Sequence, residues 1–483
     1  LLMITLTLLF LIASVSANDD FGDMDLVLLA ESTSPGGRCM DGSMAGYYIR
    51  EGEEDSNLFV IFLKGGGACM TQEDCDARNI TEAGSSYGWS NTTQGERFLD
   101  ADCTTNPSFC KATAVYVKYC TGDTHLGNVV NPTDESWGYY FDGHANFVAI
   151  IEKLIAEKGL GEPDTEVLLT GSSAGGIGVI FNIDWLSERL PNATVKGVPV
   201  AGWFTPAALN SDLPEPFNPS DYEHFANGEN GNSIYDAYDS DPNAVIDRWQ
   251  MKSQLPAGCL ASYSDALWFA CASAHYAYRY IKSSLFNVHT QFDGYHIFSL
   301  GLAPSMPTSF AEIDTIENYI EMWGEATRLS LQMILNNETD TVKPHPDGIF
   351  SASCISHGTS EETLIAEQGF MPVVHDWFFQ LGQKEEYYRL VESCPESDKD
   401  LPCNTNGGCQ YNPFANLPPM IQTCLLEMHK AGCSTFFGSE EQCLQCLFDY
   451  RQDIFSGGCT MATTARKICA YTSTGANIFL EDP

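Results

Sequence analysis

Three short apolar segments are separated by polar and glycine-containing stretches in the first 170 residues. They are Leu58–Leu63, Thr113–Tyr119 and Glu166–Thr170, all rich in β-branched and aromatic residues and followed by turn-forming positions. Continuous apolar runs of this length are typical of strands that are buried on both faces of a parallel sheet. The pattern therefore predicts three buried parallel strands.

Helical spacing of apolar residues appears between and after these strands. Asn146–Lys158, Ile313–Leu335 and Val373–Val391 each carry apolar residues three or four positions apart. Such spacing places the apolar side chains on one face of a helix. Strands that alternate with helices predict an α/β layered fold with a mostly parallel central sheet.

The two ends of the chain depart from this alternation. An uncharged apolar run precedes the small-residue sequence Val15-Ser16-Ala17, which predicts a signal peptide over residues 1–17. Nine cysteines fall between Cys394 and Cys469, and so dense a cluster predicts a small disulfide-stapled module. We therefore predict an α/β domain over residues 18–405 and a cysteine-rich extension over residues 406–483.

Composition indicates the compartment of the protein and excludes some classes of partner. Eighteen cysteines are too many for an ordinary cytosolic protein and predict a secreted, extracellular chain with paired thiols. A net charge of −40 argues against nucleic acid as a partner, since no basic excess is present to neutralise phosphates. No later segment has 18 consecutive apolar residues, so no membrane span is predicted, and composition sets no oligomeric state. Four N-glycosylation sequons agree with secretion: Asn79, Asn91, Asn192 and Asn337.

The strongest chemical signal follows the third predicted strand. Gly171-Ser172-Ser173-Ala174-Gly175 matches the G-x-S-x-G pattern, and the small residues after it can open a helix. In that strand–turn–helix context the central serine sits on a strained turn with its hydroxyl exposed. Ser173 is therefore the predicted nucleophile of an acyl-transfer reaction.

A second glycine-rich segment follows the first predicted strand. In Lys64-Gly65-Gly66-Gly67-Ala68, consecutive glycines allow backbone N–H groups to face a cleft without obstruction by Cβ atoms. Together with the Ala174 N–H, this segment can hold the oxyanion of a tetrahedral intermediate. A phosphate-binding loop is the alternative, but no G-K-[ST] follows the glycines.

A serine nucleophile needs a base and an orienting acid, which follow it in the chain order Ser, Asp, His in hydrolases of this kind. His357 is favoured as the base because Cys354 can anchor its loop of small residues, and Asp293 is favoured as the acid because it ends an apolar, strand-like run. Spacing alone leaves other residues open: His296, His345 and His375 for the base, and Asp265 and Asp347 for the acid.

Several separated segments together resemble the pectin acetylesterase / Notum family of serine carboxylic-ester hydrolases. The resemblance covers about residues 25–410 and rests on these segments: FLKGGGAC at Phe62–Cys69, YCTGD at Tyr119–Asp123, GSSAGG at Gly171–Gly176, LPAGC at Leu255–Cys259, LFNVHTQFD at Leu285–Asp293, CISH at Cys354–His357, DWFF at Asp376–Phe379 and CP…PCN at Cys394–Asn404.

This resemblance implies an α/β-hydrolase-like three-layer fold and a cofactor-free, metal-free esterase. It implies hydrolysis of O-acetyl esters of a polysaccharide, through an acyl-enzyme. The catalytic residues it implies are Ser173, Asp293 and His357, and the oxyanion-hole residues are Gly65, Gly66 and Ala174.

Three positions depart from the pattern of that family. Lys64 stands where the family usually has an acidic residue, Gly67-Ala68 occupies the place of a tryptophan, and Gly358 stands where plant members commonly have cysteine. The acyl-chain preference therefore does not follow from the resemblance. A Notum-like protein O-deacylase that removes a fatty acyl group is one alternative, and a catalytically silent glycan-binding protein is another.

Overall fold

The structure of the chain is a computed structural model. It describes residues 23–32, 36–54, 56–204, 247–263, 268–295, 313–359, 362–380, 384–394, 402–404 and 440–450, and the single residues Cys409, Met428, Ala431 and Cys433. The predicted signal peptide of residues 1–17 lies outside the described residues, as does most of the predicted extension of residues 406–483.

Ten strands form the central sheet, in the order β12-β9-β8-β7-β6-β3-β5-β2-β1-β4. The strands are β1 Asp23–Leu28, β2 Gly46–Arg50, β3 Leu58–Leu63, β4 Thr92–Gln94, β5 Thr113–Val117, β6 Glu166–Ser172, β7 Thr194–Val200, β8 Phe286–Val288, β9 Gly348–Ser351 and β12 Arg389–Val391, while β10 Leu364–Ile365 and β11 Gln368–Gly369 form a separate ribbon. All pairings from β12 to β5 are parallel, and those from β5 to β4 are antiparallel. The prediction of a mostly parallel central sheet is confirmed.

Helices cover both faces of this sheet. The α-helices are α1 Gln72–Asn79, α2 Gly143–Lys158, α3 Ala174–Arg189, α4 Ala257–Ser262, α5 Ala274–Ala277, α6 Ile313–Leu335, α7 Phe370–Phe378 and α8 Glu440–Asp449, and the 3₁₀ helices are Arg97–Leu99, Lys252–Gln254, Trp268–Ala272, Tyr278–Tyr280 and Glu385–Tyr388. Apolar residues of α2, α3 and α6 belong to one core cluster, and those of α7 belong to the other. The molecule therefore has the predicted three layers.

The central strands are apolar on both faces because each face has its own core. In β3, Ile61 faces the cluster under α2 and α3, whereas its neighbour Val60 faces the cluster under α7. Leu169 and Leu168 of β6 divide in the same way. Strands buried on both sides lose the alternation of apolar and polar residues, which is why these segments read as continuous apolar runs.

The helix predicted over Val373–Val391 is wrong in its second half. Helix α7 ends at Phe378, and Arg389–Val391 forms strand β12 at the edge of the sheet. Arg389 lies opposite Ile349 and Val391 opposite Ser351 in a parallel ladder with β9. Pairing with this distant strand satisfies the backbone groups of the segment, and it overrides the local apolar spacing.

Disulfide bonds hold the loops around the sheet. Seven of them have both cysteines among the described residues: Cys39–Cys120, Cys69–Cys75, Cys103–Cys110, Cys259–Cys271, Cys354–Cys409, Cys394–Cys403 and Cys433–Cys446. Pairing on this scale is typical of proteins that fold in an oxidising, extracellular environment. None of the helices in the described ranges is long and apolar enough to cross a lipid bilayer.

Candidate active site

Ser173 occupies a sharp turn between a strand and a helix. Strand β6 ends at Ser172 and helix α3 begins at Ala174, so Ser173 alone makes the connection. Its backbone has φ 56° and ψ −122°, a conformation that is strained for a residue with a Cβ. The Ser173 N–H donates to the Val200 carbonyl at 2.9 Å, which anchors the turn to β7. This is the nucleophile elbow that the motif predicts.

Glycines are required around Ser173 because neighbouring strands approach the turn closely. A Cβ at Gly175 would overlap the carbonyl oxygen of Leu63, and a Cβ at Gly171 would lie 2.7 Å from the same oxygen. A Cβ at Gly176 would lie 2.9 Å from the Cα of Gly202. The elbow is therefore wedged between the carboxyl ends of β3 and β7, where a side chain would force the strands apart.

His357 and Asp293 form a hydrogen-bonded pair. The Nδ1 atom of His357 lies 3.0 and 2.9 Å from the two carboxylate oxygens of Asp293. The Asp293 side chain is completely buried, whereas 29% of the His357 side chain is exposed. Because the carboxylate accepts the Nδ1–H, Nε2 is the ring nitrogen that is available to take up a proton. The structure thus brings together the acid and base that were favoured from the sequence.

The alternative acid Asp347 lies elsewhere. It immediately precedes β9, at the amino end of the parallel strands, whereas Ser173 follows the carboxyl end of β6. Its carboxylate accepts hydrogen bonds from the Tyr278 hydroxyl and the Lys343 ammonium, both at 2.6 Å. Asp347 is therefore a buried structural carboxylate.

Two of the alternative histidines also have other roles. His345 stacks on Trp377, with ring centroids 5.5 Å apart, and its Nε2 lies 2.9 Å from the Trp377 carbonyl oxygen. His375 lies within α7 and packs against Phe379. His296 and Asp265 lie outside the described residues.

Tyr295 connects the base to the glycine loop, which we define as residues Lys64–Ala68. Its ring centroid is 5.2 Å from that of His357, and its hydroxyl is 3.5 Å from where a Cβ at Gly67 would lie. At the other end of the loop, a Cβ at Gly65 would lie 3.0 Å from the Ser173 Cβ. His357, the glycine loop and Ser173 therefore share one edge of the sheet. Within the described contacts no hydrogen bond joins Ser173 to His357, a bond that often forms only once substrate is bound.

Two buried aromatic residues form hydrogen bonds with carbonyl groups of the glycine loop. His125 Nε2 lies 2.8 Å from the Lys64 carbonyl oxygen, and the Tyr119 hydroxyl donates to the Gly67 carbonyl oxygen at 2.9 Å. A trans peptide points its C=O and the following N–H in opposite directions, so the bond to Lys64 turns the Gly65 N–H away from His125. This orientation suits the predicted role of Gly65 as an oxyanion donor.

Burial fixes the protonation of both aromatic residues. It lowers the pKa of His125 to about 4, so the imidazole is neutral at pH 7 and can donate from Nε2 to a carbonyl. It raises the pKa of Tyr119, which therefore keeps its hydroxyl proton. Neither residue was predicted as functional from the sequence, although Tyr119 begins the YCTGD segment and both lie in the connection between β5 and α2.

Asp123 and Asp142 are buried carboxyl groups near His125. The Asp123 carboxylate accepts the Thr121 hydroxyl at 2.6 Å and the Gly143 N–H at 2.7 Å. Both carboxyl oxygens of Asp142 are buried, and Arg38 only partly favours their ionisation. Burial, reinforced by the charge of Asp123, raises the pKa of Asp142 to about 8. Asp142 therefore carries a proton through most of the neutral range.

Metal ligands are not grouped in the part of the chain that the structure describes. No cluster of three or more His, Cys, Asp or Glu side chains there is arranged to hold a metal ion.

Comparisons with known proteins found a matching family and several similar chains. The sequence model of the family described as Pectinacetylesterase matches residues 17–407. Pectin acetylesterase 4 of Arabidopsis thaliana is 25% identical over 81% of this chain and 90% of that protein. Palmitoleoyl-protein carboxylesterase notum2 of Xenopus laevis is 37% identical, but the match spans only 34% of either protein. The crystal structure of the Wnt deacylase Notum from Drosophila superposes with a TM-score of 0.61 and 25% identity, covering 80% of this chain and all of that one.

Proposed function

The chain belongs to the pectinacetylesterase family, and on that premise we propose that it is a secreted serine esterase that hydrolyses O-acetyl esters of a polysaccharide. One observation carries the proposal. The strained elbow at Ser173 and the hydrogen-bonded pair of His357 and Asp293 lie at the same edge of the sheet, beside a glycine loop that can hold an oxyanion.

The first half-reaction forms an acyl-enzyme. His357 Nε2 takes the proton of the Ser173 hydroxyl as Oγ attacks the ester carbonyl carbon, while Asp293 fixes the imidazole tautomer and stabilises the imidazolium ion. The carbonyl oxygen becomes an oxyanion, which accepts hydrogen bonds from the N–H groups proposed as donors: Gly65, Gly66 and Ala174. Removal of one such donor typically costs about 3–4 kcal/mol of transition-state stabilisation.

The second half-reaction restores the enzyme. The tetrahedral intermediate collapses, and the alcohol leaves with the proton that His357 returns to it. A water molecule then gives a proton to His357 Nε2 and attacks the acyl carbon. Acetate leaves, and the Ser173 oxygen recovers its proton from the imidazolium.

Aromatic packing beside the base favours a short acyl group. The rings of Phe204 and Tyr295 lie 6.1 Å apart, and their centroids are 6.3 and 5.2 Å from that of His357. The Tyr295 hydroxyl also faces Gly67 across the site. These side chains fill space between the base and the glycine loop, where a long acyl chain would need room.

The preference for acyl-chain length tests the proposal directly. Hydrolysis of p-nitrophenyl esters from C2 to C12 should peak at acetate and fall steeply beyond about C4, since a longer acyl chain would have to displace these rings. Ser173→Ala should abolish this activity and leave the circular dichroism spectrum unchanged. Tyr295→Ala should shift the optimum to longer esters.

Two other outcomes would replace the proposal. An optimum at C8 or longer in the wild type would favour the Notum-like removal of a fatty acyl group. A wild-type protein that neither hydrolyses any ester nor reacts with a fluorophosphonate probe would favour a silent glycan-binding protein, because the probe labels only an activated serine.

The polysaccharide is proposed from the relatives. Pectin acetylesterase 4 of Arabidopsis thaliana aligns along 90% of its own length, and the disulfides fit an extracellular protein. We propose acetylated cell-wall polysaccharides as substrates. Acetate released from acetylated pectin or xylan, and lost in Ser173→Ala, is the measurement that checks this.

A further inference from the structure

Arg78 lies in a helix that is attached to the glycine loop. It stands in the last turn of α1, and the disulfide Cys69–Cys75 ties that helix to the residue following Ala68. Its Nε donates to the Ala83 carbonyl oxygen at 3.1 Å, and its guanidinium carbon is 5.0 Å from the centroid of the Tyr119 ring. The side chain is therefore fixed against one face of Tyr119.

The charge of Arg78 has no carboxylate partner. Its Nη2 atom is buried and has no hydrogen-bond acceptor, and none of the ion pairs formed by the described residues involves this side chain. The chain has 64 acidic and only 24 basic residues, so acidic partners are abundant. A buried guanidinium nitrogen without an acceptor costs free energy, which calls for a reason beyond packing.

The unpaired nitrogen lies directly behind the glycine loop. Nη2 is 3.5 Å from where a Cβ at Gly66 would sit. Gly65, next along the loop, is in contact with Ser173. Arg78 and Ser173 therefore lie against neighbouring residues of the glycine loop. The positive charge of Arg78 acts on the negative charge that develops at Ser173 during the reaction.

We infer that Arg78 is a positioning residue for the reaction, whose positive charge behind the glycine loop stabilises the oxyanion that forms at Ser173. The inference rests on the proposed function. The guanidinium makes no bond to the substrate and transfers no proton. It acts through the loop, in a region where burial limits screening by water, so its attraction is stronger than that of a surface cation.

A purely structural role is the competing explanation, because Arg78 also packs on Tyr119, which holds the Gly67 carbonyl. Two variants separate the roles. Arg78→Met keeps an apolar stem against the Tyr119 ring but removes the charge, whereas Arg78→Lys keeps the charge and loses the planar stacking.

The experiment measures kcat and KM for p-nitrophenyl acetate, the thermal midpoint, and inhibition by methylboronic acid. Boronic acids form an anionic tetrahedral adduct with an activated serine, so they report binding of the oxyanion-like state. For Arg78→Met we expect kcat to fall about 10- to 100-fold with KM within about twofold of the wild type. The affinity for methylboronic acid should fall by a similar factor, and Arg78→Lys should recover most of both losses.

Arg279→Met is the matched control. It removes the same charge from a guanidinium that pairs with Glu338 at 2.8 Å. Arg279 precedes the amino end of β8, whereas Ser173 follows the carboxyl end of the parallel strand β6. We expect its kcat and its boronate affinity to match the wild type. If Arg78→Met does not fold, Arg78→Gln takes its place in the comparison with Arg78→Lys.

Three results would overturn the inference. These are an Arg78→Met enzyme with wild-type kcat, a loss confined to KM, and an Arg78→Lys enzyme that is as slow as Arg78→Met. An inactive wild type would instead contradict the proposed function itself, so the two failures are distinguishable.

Discussion

The hydroxyl of Tyr119 donates a 2.9 Å hydrogen bond to the carbonyl oxygen of Gly67, 52 residues earlier in the chain. The same hydroxyl accepts the Thr124 N–H at 2.7 Å. One buried oxygen atom thus joins the glycine loop to the turn that follows β5. This pair of bonds restrains the shape of the proposed oxyanion hole.

Tyr119→Phe should lower kcat for p-nitrophenyl acetate about 3- to 10-fold, the equivalent of one neutral hydrogen bond. The phenyl ring keeps the packing, so KM and the fold should change little. Tyr116→Phe is the control, since Tyr116 lies in β5 and packs against Phe62 rather than against the loop. Equal losses of kcat in the two variants would contradict the role given to Tyr119.

Asp293→Asn should lower kcat by about 10⁴-fold, because an amide can donate to Nδ1 and so stabilise the wrong imidazole tautomer. The comparison is with Asp347→Asn, which removes a buried carboxylate that pairs with Lys343. That variant should lower the thermal midpoint while kcat per folded molecule stays near the wild-type value. If the two variants lost activity alike, Asp293 would not be the orienting acid.

Asp142→Asn should reduce the dependence of stability on pH. Asp142 holds its proton in the folded protein up to about pH 8, whereas an unfolded aspartate releases it near pH 4. The folded state therefore binds more protons in that interval, and this residue makes the free energy of unfolding fall as the pH rises from about 4 to about 8.

Urea unfolding at pH 5, 6, 7 and 8 checks this expectation. The free energy of unfolding of Asp142→Asn, minus that of the wild type, should increase with each step in pH. Curves that stay parallel across these four pH values would show that Asp142 does not retain its proton.

Replacing Cys354 and Cys409 together by alanine should destabilise the protein by about 4 kcal/mol, as expected for a disulfide that closes a loop of this length. It should also lower kcat per folded molecule, because His357 lies three residues after Cys354. The pair Cys394–Cys403 closes a much shorter loop and serves as the control. Unchanged kcat in the Cys354/Cys409 variant would show that the base is held without this bond.

The features that could be predicted from the sequence depend on local patterns. Strand β3 has the predicted bounds of Leu58–Leu63, and helix α6 has those of Ile313–Leu335. The elbow at Ser173 was predictable because strand, glycines and helix follow one another within a few residues. Local spacing was enough in these cases because apolar periodicity is the main sequence signal for the type of an element.

The features that were missed depend on distant partners. Strand β12 exists because Arg389–Val391 pairs with β9, and nothing in its own spacing indicates this. His125 acts on a carbonyl 61 residues away, so its role is visible only in the folded chain. Spacing left several histidines open as the base, and the resemblance to a known family selected His357, whose ring the fold places 2.9 Å from the Asp293 carboxylate.

The disulfide from Cys354 to Cys409 joins the loop of the proposed base to a cysteine beyond residue 405, where we predicted the α/β domain to end. A ribosome delivers a chain from its amino terminus, so Ser173 and Asp293 emerge well before Cys409. Ser173 and Asp293 can fold into place while the loop of His357 still lacks its covalent anchor. That anchor forms only after Cys409 has been synthesised, so a chain that ended before Cys409 would carry the proposed base untethered.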